Sequence, residues 1–73
     1  MKKFKLKDEY ITLGQFLKAA DFISSGGMVK PFLEENAIFV NGELEARRGK
    51  KLYDGDQVKI GLEHYMIIKW LNK

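Results

Sequence analysis

The stretch AIFVNGELEARRGKKLYDGDQVKI, Ala37 to Ile60, decides how the rest of the chain is read. Ile38 and Val40 alternate as a half-buried strand should, and Asn41-Gly42 tolerates the left-handed backbone of a two-residue hairpin turn. Tyr53-Asp54-Gly55-Asp56 is a second turn that sends the chain back into a strand. Leu44, Leu52, Val58 and Ile60 are expected to anchor the stretch in a core. Between the turns lies Arg47-Arg48-Gly49-Lys50-Lys51, in which every residue but the glycine is cationic. A run that dense repels itself and adds nothing to a core, so its use is to meet an anion of many charges. Being pinned at both ends, it loses less conformational entropy on binding than a free tail would. The competing reading is a solvated loop whose charges pair with Glu43 and Glu45.

Upstream, Phe4 and Leu6 alternate with Lys3, Lys5 and Lys7, which predicts an edge strand over 3–7. Its lysines either block unwanted strand pairing or touch nucleic acid. Thr12 precedes an apolar run and Gln15 follows three residues later, a capping box that starts a helix. Leu13, Phe16, Leu17 and Ala20 form one stripe, so the helix is expected to run from about 13 to 23. Ser24-Ser25-Gly26-Gly27 should stop it, the two glycines favouring a left-handed cap. A second helix over about 28–36 follows, with Val29, Phe32 and Leu33 inward and Pro31 in or near its first turn, where little is lost with the missing amide.

The tail LEHYMIIKWLNK is ambiguous by periodicity. Leu62, Met66, Ile68 and Trp70 share a strand face, whereas Leu62, Tyr65, Met66 and Trp70 fit a helical stripe. Ile67-Ile68 with Tyr65 and Trp70 favours a strand over 62–71, closing a small mixed or antiparallel sheet. His64 is expected to end that strand without carrying chemistry.

The composition bounds the rest. Seventy-three residues (45% hydrophobic, 32% charged) make one small domain, 1–73. A domain of that size buries roughly 60% of the surface its unfolded chain exposes, so a deep catalytic cleft competes with the core for the same side chains. The chain has no cysteine and one histidine, which leaves no disulfide or thiolate metal site and no cofactor or metal expectation. No signal-type apolar region or membrane-length window is present, and a cytoplasmic monomer is expected. The net charge is +3 with a pI near 9.2, which suggests a polyanionic partner.

The pattern Thr12-Leu13-Gly14-Gln15-Phe16-Leu17, Ser25-Gly26-Gly27, Val40-Asn41-Gly42-Glu43, Arg47-Arg48-Gly49-Lys50-Lys51-Leu52 and Gly55-Asp56 resembles the alpha-L RNA-binding motif. That is the domain of ribosomal protein S-four, here in its small stand-alone YaaA/YbcJ-like branch, and the resemblance covers about residues 10–60. It implies an α+β fold, two short helices packed on a small, mainly antiparallel sheet. It also implies a partner, structured RNA such as ribosomal RNA or a ribosomal subunit, and a role in ribosome assembly or function. Contacts carried over by position fall on the starts of both helices and on the loop after the central strand: Gln15, Gly27 and Lys30 with Arg47, Arg48, Lys50 and Lys51. Relatives in other branches carry arginines at the helix starts, where this chain has Thr12 and Gly26-Gly27, so the loop takes most of the weight.

Physically, helix N-termini offer free amides to phosphate, and arginine can hold a phosphate with two parallel hydrogen bonds. Such contacts set docking without reading sequence, which points to recognition of RNA shape. Tyr53 is expected to pack beneath the loop, with stacking on an unpaired base as the alternative. Two other functions stay open: an adaptor that docks an acidic protein, and a helix-turn-helix DNA binder. The second is disfavoured by Glu34 and Glu35 on the second helix, which would repel phosphate. No nucleophile with its base, paired carboxylates or phosphate-gripping glycine loop points to an enzyme, and no small-molecule substrate is expected.

Overall fold

The computed structural model describes residues 1–70; Leu71, at the end of the predicted tail strand, lies outside the described residues. Seven strands and two helices follow in the order β1 (Lys2–Leu6), β2 (Ile11–Thr12), α1 (Leu13–Ala19), α2 (Val29–Glu35), β3 (Ile38–Val40), β4 (Glu43–Leu44), β5 (Lys51–Leu52), β6 (Gln57–Ile60) and β7 (Glu63–Lys69). A five-stranded sheet has the order β1-β7-β6-β3-β4, and β2 and β5 form a separate antiparallel pair. Only the β1–β7 pairing is parallel within the large sheet. The fold is therefore the expected α+β arrangement, with the predicted edge strand at the sheet margin.

Local chemistry sets these elements. Asn41 and Gly42 adopt φ of 53° and 85°, joining β3 to β4 as the two-residue hairpin requires. The Asn41 side chain also ties this turn to the next strand, donating to Asp56 Oδ1 at 3.1 Å and accepting from the Gln57 amide at 2.9 Å. Both halves of the capping box at Thr12 and Gln15 are present.

The first helix ends earlier than predicted and by a different device. Asp21 takes φ 68°, its amide donates to the Lys18 carbonyl at 3.1 Å, and the Phe22 amide donates to Leu17 at 2.9 Å. This is a Schellman termination with aspartate where glycine is usual. Gly26 and Gly27 do not stop the helix. They begin a 3₁₀ turn, Gly26–Met28, that feeds α2, and neither has a positive φ. Pro31 lies in the first turn of α2, as expected.

The core lies between the helices and one face of the large sheet. Leu13, Phe16 and Leu17 from α1, Ile38 from β3, Leu52, Val58 and Ile67 are fully buried. Phe16 is the hub, with ring centroids 5.1 Å from Phe4, 5.3 Å from Tyr65 and 6.5 Å from Phe22. Leu44 is 67% exposed on the edge strand β4 and is not the anchor expected of it. In β7 the alternation is inverted with respect to apolar content. Ile67 and Tyr65 face the helices, whereas Met66 and Ile68 pair beside Lys3 and Lys5 on the opposite face. Leu62, expected on the strand, sits fully exposed in the turn before it.

Candidate nucleic-acid interface

The basic loop leaves β4 and enters β5, and both ends are stitched to the fold. At its entry the Glu45 amide donates to the Ile38 carbonyl at 2.8 Å. At its exit Lys51 pairs with Thr12 and Leu52 with Ile11. Within it, the Lys50 amide reaches the Arg47 carbonyl at 3.2 Å and closes a four-residue turn around Arg48 and Gly49.

That turn caps the start of α1. The Leu13 amide donates to the Lys50 carbonyl at 2.8 Å, and the Gly14 amide donates to the Arg48 carbonyl at 2.9 Å. Thr12 Oγ1 accepts from the Gln15 amide at 3.2 Å, and Gln15 Oε1 accepts from the Thr12 amide at 3.1 Å. All four amides that a helix start leaves without helical partners are thus satisfied within the chain. The expectation that the first helix start offers free amides to phosphate is corrected: that terminus anchors the loop.

Gly14 is where α1, α2 and the loop meet. A Cβ there would lie 3.4 Å from the Arg48 carbonyl oxygen and 3.5 Å from both methyl groups of Val29. From this junction the predicted site residues fan out. Lys30, near the start of α2, and Arg48 line one groove of about 420 Å³ together with Leu33, Glu34 and Ala46. Arg47, Lys50, Lys51 and Tyr53 line a neighbouring concavity of about 440 Å³ around Gly49. Gly27 is exposed in open surroundings in the 3₁₀ turn before α2. Gln15 stands apart from these, in a groove with Lys5, Lys7 and Tyr10.

The cations of the run are not equivalent. Arg47 donates from its backbone amide and Nε to Glu45 Oε2, both at 3.0 Å, and from Nη2 to Oε1 at 3.2 Å. The Arg47 side chain stays 76% exposed, while that of Glu45 is only 11% exposed. Hydrogen bonds from the Arg47 side chain, then from its backbone, hold the Glu45 carboxyl at a pKa of about 2, well below the ordinary 4.5. The pairing weighed for Glu45 is therefore present at Arg47. Lys51 sits over the ring of Tyr10, 4.8 Å from its centroid, and Tyr10 lies 5.9 Å from Tyr53. Tyr53 is 47% exposed and does not pack beneath the loop. Its amide is held by Asp56 Oδ2 at 2.8 Å, which fixes the backbone while leaving the ring outward.

Tyr10 was missed by sequence reasoning. It precedes a strand of only two residues, and the contact that brings it to the loop is the β2–β5 pairing. The first basic group is partly engaged elsewhere: Lys2 pairs with Glu63, and Lys5 lies over Trp70.

No helix among the described residues is long and apolar enough to cross a membrane, and no group of three or more His, Cys, Asp or Glu residues that could hold a metal is found among them. A probable ribosome maturation protein, RlbA of Bacillus subtilis (strain 168), is 64% identical over 52 residues, which span 71% of this chain and 73% of that protein. The family description "S4 domain" matches residues 4–68. With that match running from β1 into β7 and with the expected fold in place, the chain belongs to the S4 domain family.

Proposed function

We propose that this protein binds structured RNA in a ribosome-related role, docking through the Arg47–Lys51 loop and the start of α2. Membership of the S4 domain family and the name of the Bacillus subtilis relative support the coarse part, RNA binding linked to ribosomes. One structural observation carries the finer part. The Arg48 and Lys50 carbonyls are taken by the start of α1, so the loop backbone is fixed while the side chains of Arg48 and Lys51 are exposed and that of Lys50, half-buried, lines the concavity beside them. A fixed array of cations meets a folded phosphate backbone at lower entropic cost than a mobile one.

Lys30 extends the array across its groove with Arg48, and Gln15 and Gly27 belong to its periphery. Arg47 contributes when a phosphate competes with Glu45. Tyr53 and Tyr10 offer exposed rings beside Lys51, suited to an unpaired base next to a stem. The target is recognised by shape, because contacts to phosphate carry no sequence information. Ribosomal RNA is the target class we assign.

Helix-turn-helix DNA binding has no support in the geometry. Residues 20–28, including a 3₁₀ turn, separate the two helices, where that motif uses a turn of three or four residues. Crosslinking in cells followed by sequencing of the bound RNA tests the proposal. Recovery dominated by ribosomal RNA fragments supports it, and recovery spread evenly over cellular RNA contradicts the ribosomal assignment.

A further inference from the structure

No further helix or strand of the described residues packs over the face of the five-stranded sheet that points away from the helices. Strand alternation and register place Lys3 and Lys5 of β1, His64, Met66 and Ile68 of β7, Gln57 and Lys59 of β6, Phe39 of β3 and Leu44 of β4 on it. None of these strand positions is acidic, although the chain has ten Asp and Glu residues. Phe39 is 37% exposed and Trp70, which continues β7 onto the same face beneath Lys5, is 46% exposed. The Lys5 ammonium lies 4.4 Å from the Trp70 ring centroid.

One part of the face is a shallow cavity of about 490 Å³ lined by Phe39, Asn41, Gly42, Gln57, Lys59 and His64. An aromatic ring forms one wall and a lysine stands beside it. His64 Nε2 and Gln57 Oε1 lie 3.1 Å apart and hold each other in place, which leaves His64 Nδ1 and the Gln57 amide nitrogen for other partners. A π surface, hydrogen-bonding groups at a fixed position and a cation are the three things a single nucleotide offers partners to, through its base face, base edge and phosphate. An acidic peptide would use the lysines and leave the exposed rings unexplained.

We propose that this open sheet face is a second RNA-contacting surface, one that takes unpaired nucleotides, with a base stacked on Phe39 in the cavity of Gln57, Lys59 and His64 and the strand running on toward Lys5 and Trp70. The proposal rests on the RNA-binding reading above but concerns the other side of the molecule: the basic loop is anchored to α1, which packs on the opposite face of the sheet. From His64 to Trp70 is six residues along β7, about 20 Å, so the track accommodates a few nucleotides. A stem held by the basic loop and its single-stranded continuation held by the sheet would together distinguish a junction from a plain duplex.

Two probes separate the surfaces: an unstructured oligouridylate of eight nucleotides and a short RNA hairpin, each titrated into the isotopically labelled chain and followed by amide chemical shifts. The oligouridylate is expected to move the amides of Phe39, Lys59 and His64 and to quench the fluorescence of Trp70, the chain's single tryptophan. Phe39→Ala should weaken oligouridylate binding by roughly five-fold or more, the scale of a lost stacking partner, and leave hairpin affinity within two-fold. Lys59→Glu provides a second variant that alters charge without touching packing, and should weaken the oligouridylate in the same way. Arg48→Ala with Lys51→Ala should do the reverse.

Oligouridylate shifts confined to the loop, or affinity unchanged in both sheet variants, would overturn the proposal. So would a sheet face that responds to an acidic peptide and not to the oligouridylate. If the hairpin fails to bind while the oligouridylate still maps to the sheet, the loop reading fails and this one stands.

Discussion

The amide of Gly14 donates to the carbonyl of Arg48 at 2.9 Å, so the second residue of the first helix also sets the position of the residue at the tip of the basic loop. With Val29 against the same spot, one position couples both helices to the loop. This coupling makes a cationic run into a shaped surface.

Substitution at Gly14 tests that coupling. Its added Cβ would make contacts of 3.4–3.5 Å, close to ordinary packing, so Gly14→Ala should raise stability by at most about 1 kcal/mol through the unfolded state and leave RNA affinity unchanged. Gly14→Leu cannot fit between Arg48 and Val29 and should lower RNA affinity by lifting the loop. Denaturant unfolding and hairpin binding measured on both variants check this.

Glu45 acts as a brake on Arg47. Replacing it with glutamine frees a guanidinium for phosphate, so Glu45→Gln should bind the hairpin more tightly and steepen the log-log salt slope by about 0.7–0.9, the contribution of one phosphate contact. Equal slopes for the two proteins would place Arg47 outside the interface.

The same pair predicts a pH response. The Glu45 pKa is depressed to about 2 from the ordinary 4.5, so its contribution to stability is fully present above about pH 4.5 and is lost as the pH falls toward 2. Titration of the Glu45 carboxyl carbon by NMR should show a midpoint near 2, and Arg47→Ala should move it back toward 4.5.

Asp21 is a site where the fold accepts strain. Its φ of 68° lies in the region glycine adopts freely. Asp21→Gly should therefore stabilise the domain by about 0.5–1 kcal/mol, read as a rise in thermal midpoint without change in RNA affinity.

Phe16 is the opposite case. It is fully buried at the centre of an aromatic cluster, and Phe16→Ala should cost about 3–5 kcal/mol. Against a total of about 4–11 kcal/mol for a chain of this length, that removes a large share of the stability, read in circular dichroism as a markedly lower denaturant midpoint.

Much of this structure was legible in short signals. Asn41-Gly42, the Thr12 and Gln15 box and the position of Pro31 each specify local backbone geometry and each appears as read. Features set by distant partners were not legible. The end of α1 at Asp21 depends on a residue type that disfavours the conformation it adopts. The faces of β7 could not be assigned from a run in which both sets of alternate residues are apolar, and pairing with Phe4 and Val58 decides that Ile67 and Tyr65 go inward. The consumption of the α1 amides by Arg48 and Lys50 leaves no mark in sequence at all, because backbone carbonyls accept irrespective of side chain.

Salt dependence of hairpin binding tests the central claim most directly. Arg48, Lys50 and Lys51, with Arg47 held by Glu45, should give a log-log slope of about −2 to −3 at 0.7–0.9 per contact. Replacing the three by alanine should remove most of the slope, leaving about what Lys30 and a released Arg47 contribute. A triple variant as salt-sensitive as the parent would contradict the account and put the RNA on another surface.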